Sequence, residues 1–273
     1  MPTLDDIRFF WEANPVGQSD IPAAGTPYDH FRAFDNLRES ADVEPYAIAC
    51  AVHGFADAAG KRVLDLGCGN GYVLSHYARH GAAVDGVDLT DAAVRLARER
   101  FALLGLEGTF ARIDGATLPF PDETFDLACS MGVLHHVPDP SPLVAELHRV
   151  LRPGGQLIVM LYHRGSFRYR VLLPFRRRFG PAPYRGRSLK QVLNMNDGPD
   201  NPWAAVYSPD EVRVLLSAFE DHRFRVGKLP ARELGLYLPV LGGLCERLLP
   251  RRAIGALAAR IGWNLYCTAR KPD

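Results

Sequence analysis

The sequence predicts an α/β fold: a doubly wound, mostly parallel sheet of seven strands with an antiparallel last strand, plus an N-terminal helical cap. Three observations support this prediction. Short apolar runs alternate with helical patterns between residues 61 and 162, which is typical of right-handed βαβ units. A glycine-rich turn directly follows the first apolar run. The segment 263–270 alternates like a partly exposed strand at the end of the sheet.

The glycine-rich turn is the feature around which the chain is organised. Residues 63–66 read as a short buried strand, and Gly67, Gly69 and Gly71 follow it at intervals of two. Glycine allows a tight turn and lets the backbone approach a ligand without a Cβ between them. A helical pattern begins at Tyr72, so unpaired N–H groups of a helix start lie close by. This Rossmann-like unit predicts a pocket for a nucleotide-like ligand.

The remaining elements follow in a regular order. Asp91 falls in the first turn of its helix, where the helix dipole favours a carboxylate, and Pro153 stops the helix before the fifth strand. Ser208 and Glu211 form a capping box at the start of a later helix. The predicted strands are 62–66, 83–87, 109–113, 125–130, 156–162, 224–229 and 263–270. The predicted helices of the sheet-forming part are 72–80, 91–104, 142–151 and 208–219.

Two units are expected along the chain. Residues 1–59 contain helical patterns rich in aromatic side chains and form the N-terminal cap, which either packs onto the core or acts as a lid over a ligand. Residues 60–273 form the main domain, with a basic insert at 163–206 on the substrate side.

The basic insert has an unusual composition. Residues 163–196 contain nine Arg or Lys residues and no Asp or Glu, interleaved with aromatic side chains. A solvated helix and loop, a site for an acidic or aromatic acceptor, and a membrane-surface face all remain open. The nearly uncharged segment 234–249 is interpreted as a core or subunit-contact helix, with an acceptor lid as the alternative.

Composition excludes several classes. The net charge of +1 gives no overall bias towards nucleic acid, and the five scattered cysteines fit neither a disulfide framework nor a zinc ribbon. The N-terminus lacks a signal-peptide core, and no run of about 18 apolar residues is present. We therefore expect a cytoplasmic monomer or homodimer that binds no nucleic acid and does not cross a membrane, although peripheral membrane contact is possible.

The glycine turn alone does not identify its ligand. Dinucleotide-binding folds use G-x-G-x-x-G, whereas this chain has G-x-G-x-G, followed at the end of the second strand by Asp88. A carboxylate at that position suits the ribose of either type of ligand.

Five motifs in order narrow the choice. Residues 63–72, 84–90, 111–120, 125–139 and 150–155 resemble the successive motifs of the class I S-adenosylmethionine-dependent methyltransferases, small-molecule type. The resemblance covers residues 61–162. It implies S-adenosylmethionine as the methyl donor and S-adenosylhomocysteine as the product, and it nearly excludes a nicotinamide oxidoreductase.

The resemblance also implies roles for the donor site. Asp65 would face the donor's ammonium group, and the backbone of Gly67, Cys68 and Gly69 would meet the methionine moiety. Asp88 would bind the ribose hydroxyls. The residues implied around the adenine and the sulfonium are Leu89, Asp114, Gly115, Ala116 and Met131.

The acceptor side is less well defined. His135 and His136 follow the fourth strand and are the candidate general bases, with His135 slightly preferred. The related enzymes sometimes pair such a His with an acid after strand five, but residues 161–164 contain no acid, which puts a His–Asp dyad in doubt. Tyr28, Tyr162 and His163 are the candidate substrate-binding residues. No metal site is expected.

The predicted function is methyl transfer to an oxygen or nitrogen of a small molecule, with specialised (natural-product) biosynthesis as the suggested context. A C-methyltransferase acting on a quinone-like or lipid-like acceptor, and a non-catalytic S-adenosylmethionine-binding protein, are the alternatives. The sequence does not identify the acceptor.

Overall fold

A seven-stranded sheet forms the centre of the protein in the computed structural model, which describes residues 1–16, 25–40 and 44–273. The strand order is β3-β2-β1-β4-β5-β7-β6. The strands are β1 Arg62–Leu66, β2 Ala83–Asp88, β3 Thr109–Arg112, β4 Phe125–Met131, β5 Leu151–Tyr162, β6 Glu220–Gly227 and β7 Asn264–Arg270. Strands β1 to β5 are parallel, and β7 lies antiparallel between β5 and β6. The predicted fold class is confirmed.

Twelve α-helices accompany the sheet in the described residues. They are α1 Leu4–Ala13, α2 Pro27–Arg38, α3 Tyr46–His53, α4 Tyr72–Arg79, α5 Asp91–Leu104, α6 Ser141–Val150, α7 Leu173–Phe179, α8 Leu189–Asn194, α9 Pro209–Leu215, α10 Ala231–Leu234, α11 Pro239–Leu248 and α12 Arg251–Ile261. The capping box of Ser208 and Glu211 begins α9 as predicted. Helix α9 is shorter than predicted, and a turn closed by a hydrogen bond from Phe219 N to Leu216 O follows it.

Two strands differ from their predicted bounds. Strand β5 begins at Leu151 rather than at residue 156. Residues Arg152–Gly155 belong to the strand and form an irregularity in its pairing with β4. Strand β6 begins at Glu220 and ends at Gly227. It ends there because Lys228 has a φ of 62°, which extended backbone cannot adopt.

Each face of the sheet packs against a layer of helices. One apolar cluster joins α3, α4 and α5 to the sheet, with Phe55 and Tyr77 among its fully buried side chains. The other joins α6 and α9 to the opposite face around Leu147 and Val212. A smaller cluster around Trp263 fixes the insert against the end of β5. These layers hold the carboxyl ends of β1, β2, β4 and β5 at one edge.

The N-terminal helices dock beside that edge through charged contacts. The buried guanidinium of Arg100 on α5 donates to Asp35 on α2 at 2.8 Å and to the backbone carbonyl of Asn70 at 2.9 Å. The ring of Phe31 packs against the same guanidinium, with its centroid 4.6 Å from the Arg100 Cζ atom. The Arg100 side chain therefore ties α2 to the glycine-rich turn.

The segment 234–249 is interpreted from the sequence as a core or subunit-contact helix, and the structure does not bury it in the core. Gly242 is the buried residue that α11 contributes, and its leucines face outwards. The reason is geometric: α10 and α11 pack against each other, so that a Cβ on Gly235 would lie 2.4 Å from the backbone of Gly242. The apolar stripe of α11 is left on the outer side.

Candidate active site

A pocket opens at the carboxyl ends of β1, β2 and β4, where open α/β sheets bind their ligands. It encloses about 900 Å³ of free space, its open mouth included. Its wall is mainly apolar. The residues that form it are Leu4, Ile7, Trp11, Pro15, Val16, Leu66, Gly67, Gly69, Asn70, Asp88, Leu89, Thr90, Ala93, Leu96, Ile113, Gly115, Met131, Gly132, Val133, His136, Val137 and Leu143.

The glycine-rich turn forms one side of the pocket. Gly67 has a φ of 78°, and a Cβ built on it would lie 2.1 Å from a methyl carbon of Val133. No side chain fits at this position. Gly69 has a φ of 53° and donates its N–H to Asp88 Oδ2 at 3.2 Å. Two contacts therefore fix the conformation of the turn beside the pocket: the close packing of Gly67 against Val133 and the hydrogen bond from Gly69 to the Asp88 carboxylate.

Asp88 presents its carboxylate at the end of β2. Its Oδ1 accepts hydrogen bonds from the Thr90 backbone N at 3.0 Å and from the Thr90 hydroxyl at 2.9 Å. Burial raises the pKa of this carboxyl. A carboxylate offers about four acceptor positions, and the hydrogen bonds from Thr90 and Gly69 occupy three of them, so Oδ2 can accept a further hydrogen bond. Leu89, Gly115 and Met131 line the same pocket.

Asp65 lies behind the pocket wall. Its side chain is fully buried beneath the turn, and among the described residues Oδ1 has no hydrogen-bond partner. Burial raises the pKa of this carboxyl to about 7. The thiol of Cys68 is likewise buried, and neither residue lines the pocket.

Asp114 and Ala116 are exposed and do not line the pocket either. Asp114 Oδ1 accepts the backbone N–H groups of Ala116 at 2.9 Å and of Thr117 at 3.1 Å. These backbone hydrogen bonds lower the pKa of the Asp114 carboxyl. The carboxylate closes the turn after β3, and of this motif Ile113 and Gly115 lie in the wall.

Helix α1 covers the pocket from the side opposite the sheet. Leu4, Ile7 and Trp11 contribute its apolar wall. The carboxylate of Glu12 accepts two backbone N–H groups at the start of α5, from Asp91 at 2.8 Å and from Ala92 at 3.0 Å. Because a helix N-terminus attracts negative charge, this contact fixes α1 over the pocket.

His136 lies in the pocket wall with a defined orientation. Its Nδ1 is 2.8 Å from the carbonyl oxygen of Trp203. A carbonyl can only accept, so Nδ1 must carry a proton, and in the neutral ring Nε2 holds the free lone pair. Nε2 lies 3.9 Å from Asp197 Oδ2. The Trp11 ring contacts the imidazole edge-on, with centroids 5.0 Å apart. Asp197 thus faces the same nitrogen that can accept a proton, and its carboxylate can stabilise a proton held there.

His135 is placed differently from its neighbour. It is fully buried and lies outside the pocket wall, with its ring centroid 3.8 Å from that of Tyr162. Burial and the adjacent His136 lower its pKa well below the usual range. In the described part of the chain, neither ring nitrogen has a hydrogen-bond partner. The geometry favours His136 over His135, the reverse of the order expected from the sequence.

The acid beside His136 comes from the insert. Asp197 follows Tyr162 by 35 residues and accepts a hydrogen bond from the Tyr162 hydroxyl. Asn196 and Asn201 also donate to its carboxylate, at 3.2 and 3.4 Å. Asp197 is not among the predicted site residues, because an acid was expected immediately after the fifth strand. The polar composition of the loop 197–202 was the feature of the sequence that could have indicated Asp197.

The three predicted substrate-binding residues lie in different places. Tyr162 is buried and holds Asp197. His163 is buried with its Nδ1 3.1 Å from the carbonyl oxygen of Gly262, outside the pocket wall. Tyr28 lies half exposed on α2 beside Arg100, in a separate shallow groove. The structure therefore brings only Tyr162 near the His136 side of the pocket, as a support for Asp197.

Within residues 1–16, 25–40 and 44–273, no group of three or more His, Cys, Asp or Glu residues is arranged to hold a metal ion. None of the helices described is long and apolar enough to cross a membrane.

Comparison with known proteins defines the class. Residues 64–159 match the family model described as "Methyltransferase domain". A phthiotriol/phenolphthiotriol dimycocerosates methyltransferase of Mycobacterium ulcerans is 44% identical over 101 residues, which cover 36% of either chain. A fatty-acid O-methyltransferase of Mycolicibacterium smegmatis is 35% identical over 158 residues, 56% of this chain and 52% of the relative. The alignments thus span at most about half of these two curated relatives.

The fold is shared with solved methyltransferases. A structure described as an S-adenosylmethionine-dependent methyltransferase of Methanosarcina mazei matches with a TM-score of 0.57 at 24% identity, covering 81% of this chain and 97% of the other.

Residues 64–159 match a methyltransferase domain, and the fold is shared with a solved S-adenosylmethionine-dependent methyltransferase. The methyltransferase class predicted from the five motifs is confirmed.

Proposed function

We propose that the protein transfers a methyl group from S-adenosylmethionine to a hydroxyl oxygen of a small, largely apolar acceptor. The observation that carries this proposal is the orientation of His136: it lies in the pocket wall, and its Nδ1–H faces the Trp203 carbonyl, which leaves Nε2 as the nitrogen that can accept a proton. A hydroxyl must lose its proton when it is methylated, so it requires a base, whereas a neutral amine can attack without one.

The residues on the opposite side of the pocket fit the donor. Asp88 offers a carboxylate with unused acceptor capacity for the ribose hydroxyls. The side-chain nitrogen of Asn70 is buried at the pocket and has no hydrogen-bond partner among the described residues. A donor with a polar amino-acid tail would supply a partner for it. The close approach permitted at Gly67 matches a ligand that contacts backbone rather than side chains.

The bound donor supplies an electrophilic methyl group on a sulfonium. The protein's own contribution is to place the acceptor hydroxyl between that methyl group and His136 Nε2. As the oxygen forms its new bond to the methyl carbon, the bond from that carbon to the donor's sulfur would break, which leaves S-adenosylhomocysteine, and the imidazole would take the hydroxyl proton. The resulting imidazolium keeps its Nδ1–H on the Trp203 carbonyl, and Asp197, 3.9 Å from Nε2, stabilises its positive charge.

The acceptor is expected to be largely apolar. The pocket wall that contains His136 also includes the apolar residues Trp11, Val16, Val137 and Leu143. A wall of this kind buries carbon rather than charge. The relatives named above act, by their names, on a fatty acid and on phthiotriol lipids, which supports the same chemical class of acceptor here.

The N-terminal cap, residues 1–59, acts in this proposal as a lid. Helix α1 supplies one wall of the pocket and is held at the start of α5 by Glu12. Closure of this helix would exclude water from the reaction.

The test is a methyl-transfer assay with isotopically labelled donor against matched alcohols, amines and activated carbon acids of apolar character. The alcohols are expected to be methylated. His136→Gln should lower kcat by about 10²- to 10⁴-fold, the usual contribution of a general base, without changing donor affinity. Its pH profile should lose the inflection due to the imidazole.

The matched comparison is Tyr28→Phe, a variant of a residue outside the pocket, which should keep wild-type turnover. Methylation of amines alone, or full turnover by His136→Gln at every pH, would contradict the proposal.

A further inference from the structure

The outer surface of α7, α11 and α12 combines exposed apolar side chains with unneutralised arginines. On α11, Val240, Leu241, Leu244 and Leu248 lie at helical spacing on one side, and Val240 and Leu248 are 81% and 65% exposed. Single exposed leucines are ordinary, but a continuous stripe on one helix marks an interaction surface.

Helix α7 lies next to this stripe. The guanidinium of Arg176 on α7 sits 5.0 Å from the ring of Tyr237, two residues before α11 begins. At the end of α7, Arg177 and Arg178 are exposed beside Phe179, which is 61% exposed. The contact between Arg176 and Tyr237 therefore brings α7 close to the start of α11.

The positive charge of this surface is not balanced by acids. In the part of the chain that the structure describes, no ion pair involves Arg177, Arg178, Arg247, Arg251 or Arg252. The acidic side chains of α10 and α11 are already engaged: Glu233 is buried and paired with Arg168, and Glu246 is paired with Arg232.

We propose that this surface, hereafter the basic apolar face and formed by α7, α11 and the first turn of α12, seats the protein on an anionic lipid surface. Aliphatic side chains enter the boundary between headgroups and acyl chains, while the surrounding arginines meet lipid phosphates. The absence of a membrane-crossing helix among the described residues is consistent with a protein that lies on the surface.

Two other occupants fit the face less well. A symmetric contact with a second copy would bring the same unneutralised arginines of both chains together, because a two-fold interface is made of the same patch twice. A nucleic acid would leave Val240, Leu244 and Leu248 without an apolar partner. An anionic bilayer satisfies both the charge and the apolar stripe.

The experiment is sedimentation of the full chain with vesicles of phosphatidylcholine, with and without phosphatidylglycerol, in the absence of donor and acceptor. We expect binding to the anionic vesicles that weakens as salt is raised. Arg177→Glu/Arg178→Glu should lower the partition constant at least tenfold, since each cation near an anionic surface contributes about 1 kcal/mol, roughly fivefold. Leu244→Ser/Leu248→Ser should lower it to a similar degree.

Matched controls are available on other surfaces. Arg95→Glu/Arg223→Glu makes the same change in net charge at exposed positions on α5 and β6, and Val214→Ser replaces an exposed apolar residue on α9. Both controls should bind as the wild type does, and all variants should unfold at the wild-type temperature. The proposal is overturned if wild-type protein ignores anionic vesicles at low salt, or if the controls lose binding equally. A dimer in sedimentation velocity that Leu244→Ser/Leu248→Ser dissociates would instead assign the face to contacts between copies.

Discussion

The donor side and the acceptor side of the pocket are built in different ways. The donor side comes from consecutive strand ends within residues 64–115: Gly67 directly follows β1, Asp88 ends β2, and Gly115 lies three residues after β3. The acceptor side joins His136 after β4 to Asp197 and Trp203 in the insert and to Trp11 in α1. The first is therefore local in sequence, and the second is assembled by tertiary packing.

This difference suggests how the two halves can change. The donor side depends on backbone conformation and one carboxylate, which tolerate little variation: a Cβ at Gly67 collides with Val133. The acceptor side depends on loops that pack around the end of β5. Such loops can vary without disturbing the sheet, so acceptor choice can evolve while donor binding is kept.

The largest effect is expected at Asp88. Asp88→Ala removes the ribose acceptor and also the carboxylate that holds the N–H of Gly69. Hydrogen bonds to a charged group contribute about 1.5–3 kcal/mol, so donor affinity measured by calorimetry should fall at least tenfold.

Asp91→Ala is the matched control for this variant. Asp91 is three residues away, its side chain is 71% exposed, and it lies outside the pocket wall. Donor affinity should stay within a factor of about two of the wild type, because surface changes are usually within ±0.5 kcal/mol. Unchanged donor affinity in Asp88→Ala would contradict the proposed ribose role of Asp88. It would also contradict the distinction between a donor side encoded by motifs and an acceptor side assembled by tertiary packing.

A smaller effect is expected at Glu12, where the cap meets the donor side. Glu12→Gln keeps the size of the side chain but removes the charge at the start of α5. A charge at a helix N-terminus contributes about 0.3–1 kcal/mol, up to about 2 when partly buried. We therefore expect the donor to dissociate roughly fivefold faster in stopped-flow measurements, because α1 covers the pocket less firmly.

Asp5→Asn serves as the comparison on the same helix, since Asp5 is largely exposed and, among the described residues, pairs only with Arg8. Its dissociation rate should match the wild type. If both variants release the donor at the wild-type rate, α1 is a fixed part of the wall rather than a lid.

The sequence allowed most of the donor side to be predicted. The strand order follows from alternating patterns, and Gly67, Asp88 and Gly115 are found because each lies at a strand end within a motif. The acceptor side escaped prediction for a physical reason. Asp197 lies near His136 because Tyr162 and the neighbouring asparagines donate hydrogen bonds to its carboxylate. Such contacts between distant residues leave no periodic pattern in the sequence.

The exposed stripe of α11 was missed for a related reason. An apolar segment predicts burial, and the pattern of Val240, Leu241, Leu244 and Leu248 does not reveal which side of a helix faces the protein. The close packing of Gly235 on Gly242 determines that orientation. Short-range patterns thus predict elements well, and they predict surfaces poorly.

The smallest effect concerns Asp65, the residue of the donor side that lies behind the wall. Burial holds its pKa at about 7, against about 3.9 for an ordinary Asp. Its carboxyl is therefore partly protonated at neutral pH. If Asp65 faces the donor's ammonium group, donor binding requires the ionised form. Affinity should then rise about twofold between pH 7 and pH 8 with release of a proton, whereas Asp65→Asn should show no such change.

The raised pKa of Asp65 also predicts how the free energy of unfolding changes with pH. Between pH 4 and pH 7 the folded state binds more protons at Asp65 than the unfolded state does, so this residue's contribution to the free energy of unfolding is lost as pH rises through about 7. Asp65→Asn should therefore gain in unfolding temperature relative to the wild type as pH rises from 5 to 8. Should this stability difference appear while donor affinity stays flat with pH, Asp65 supports the turn from below and has no direct part in binding the ammonium group.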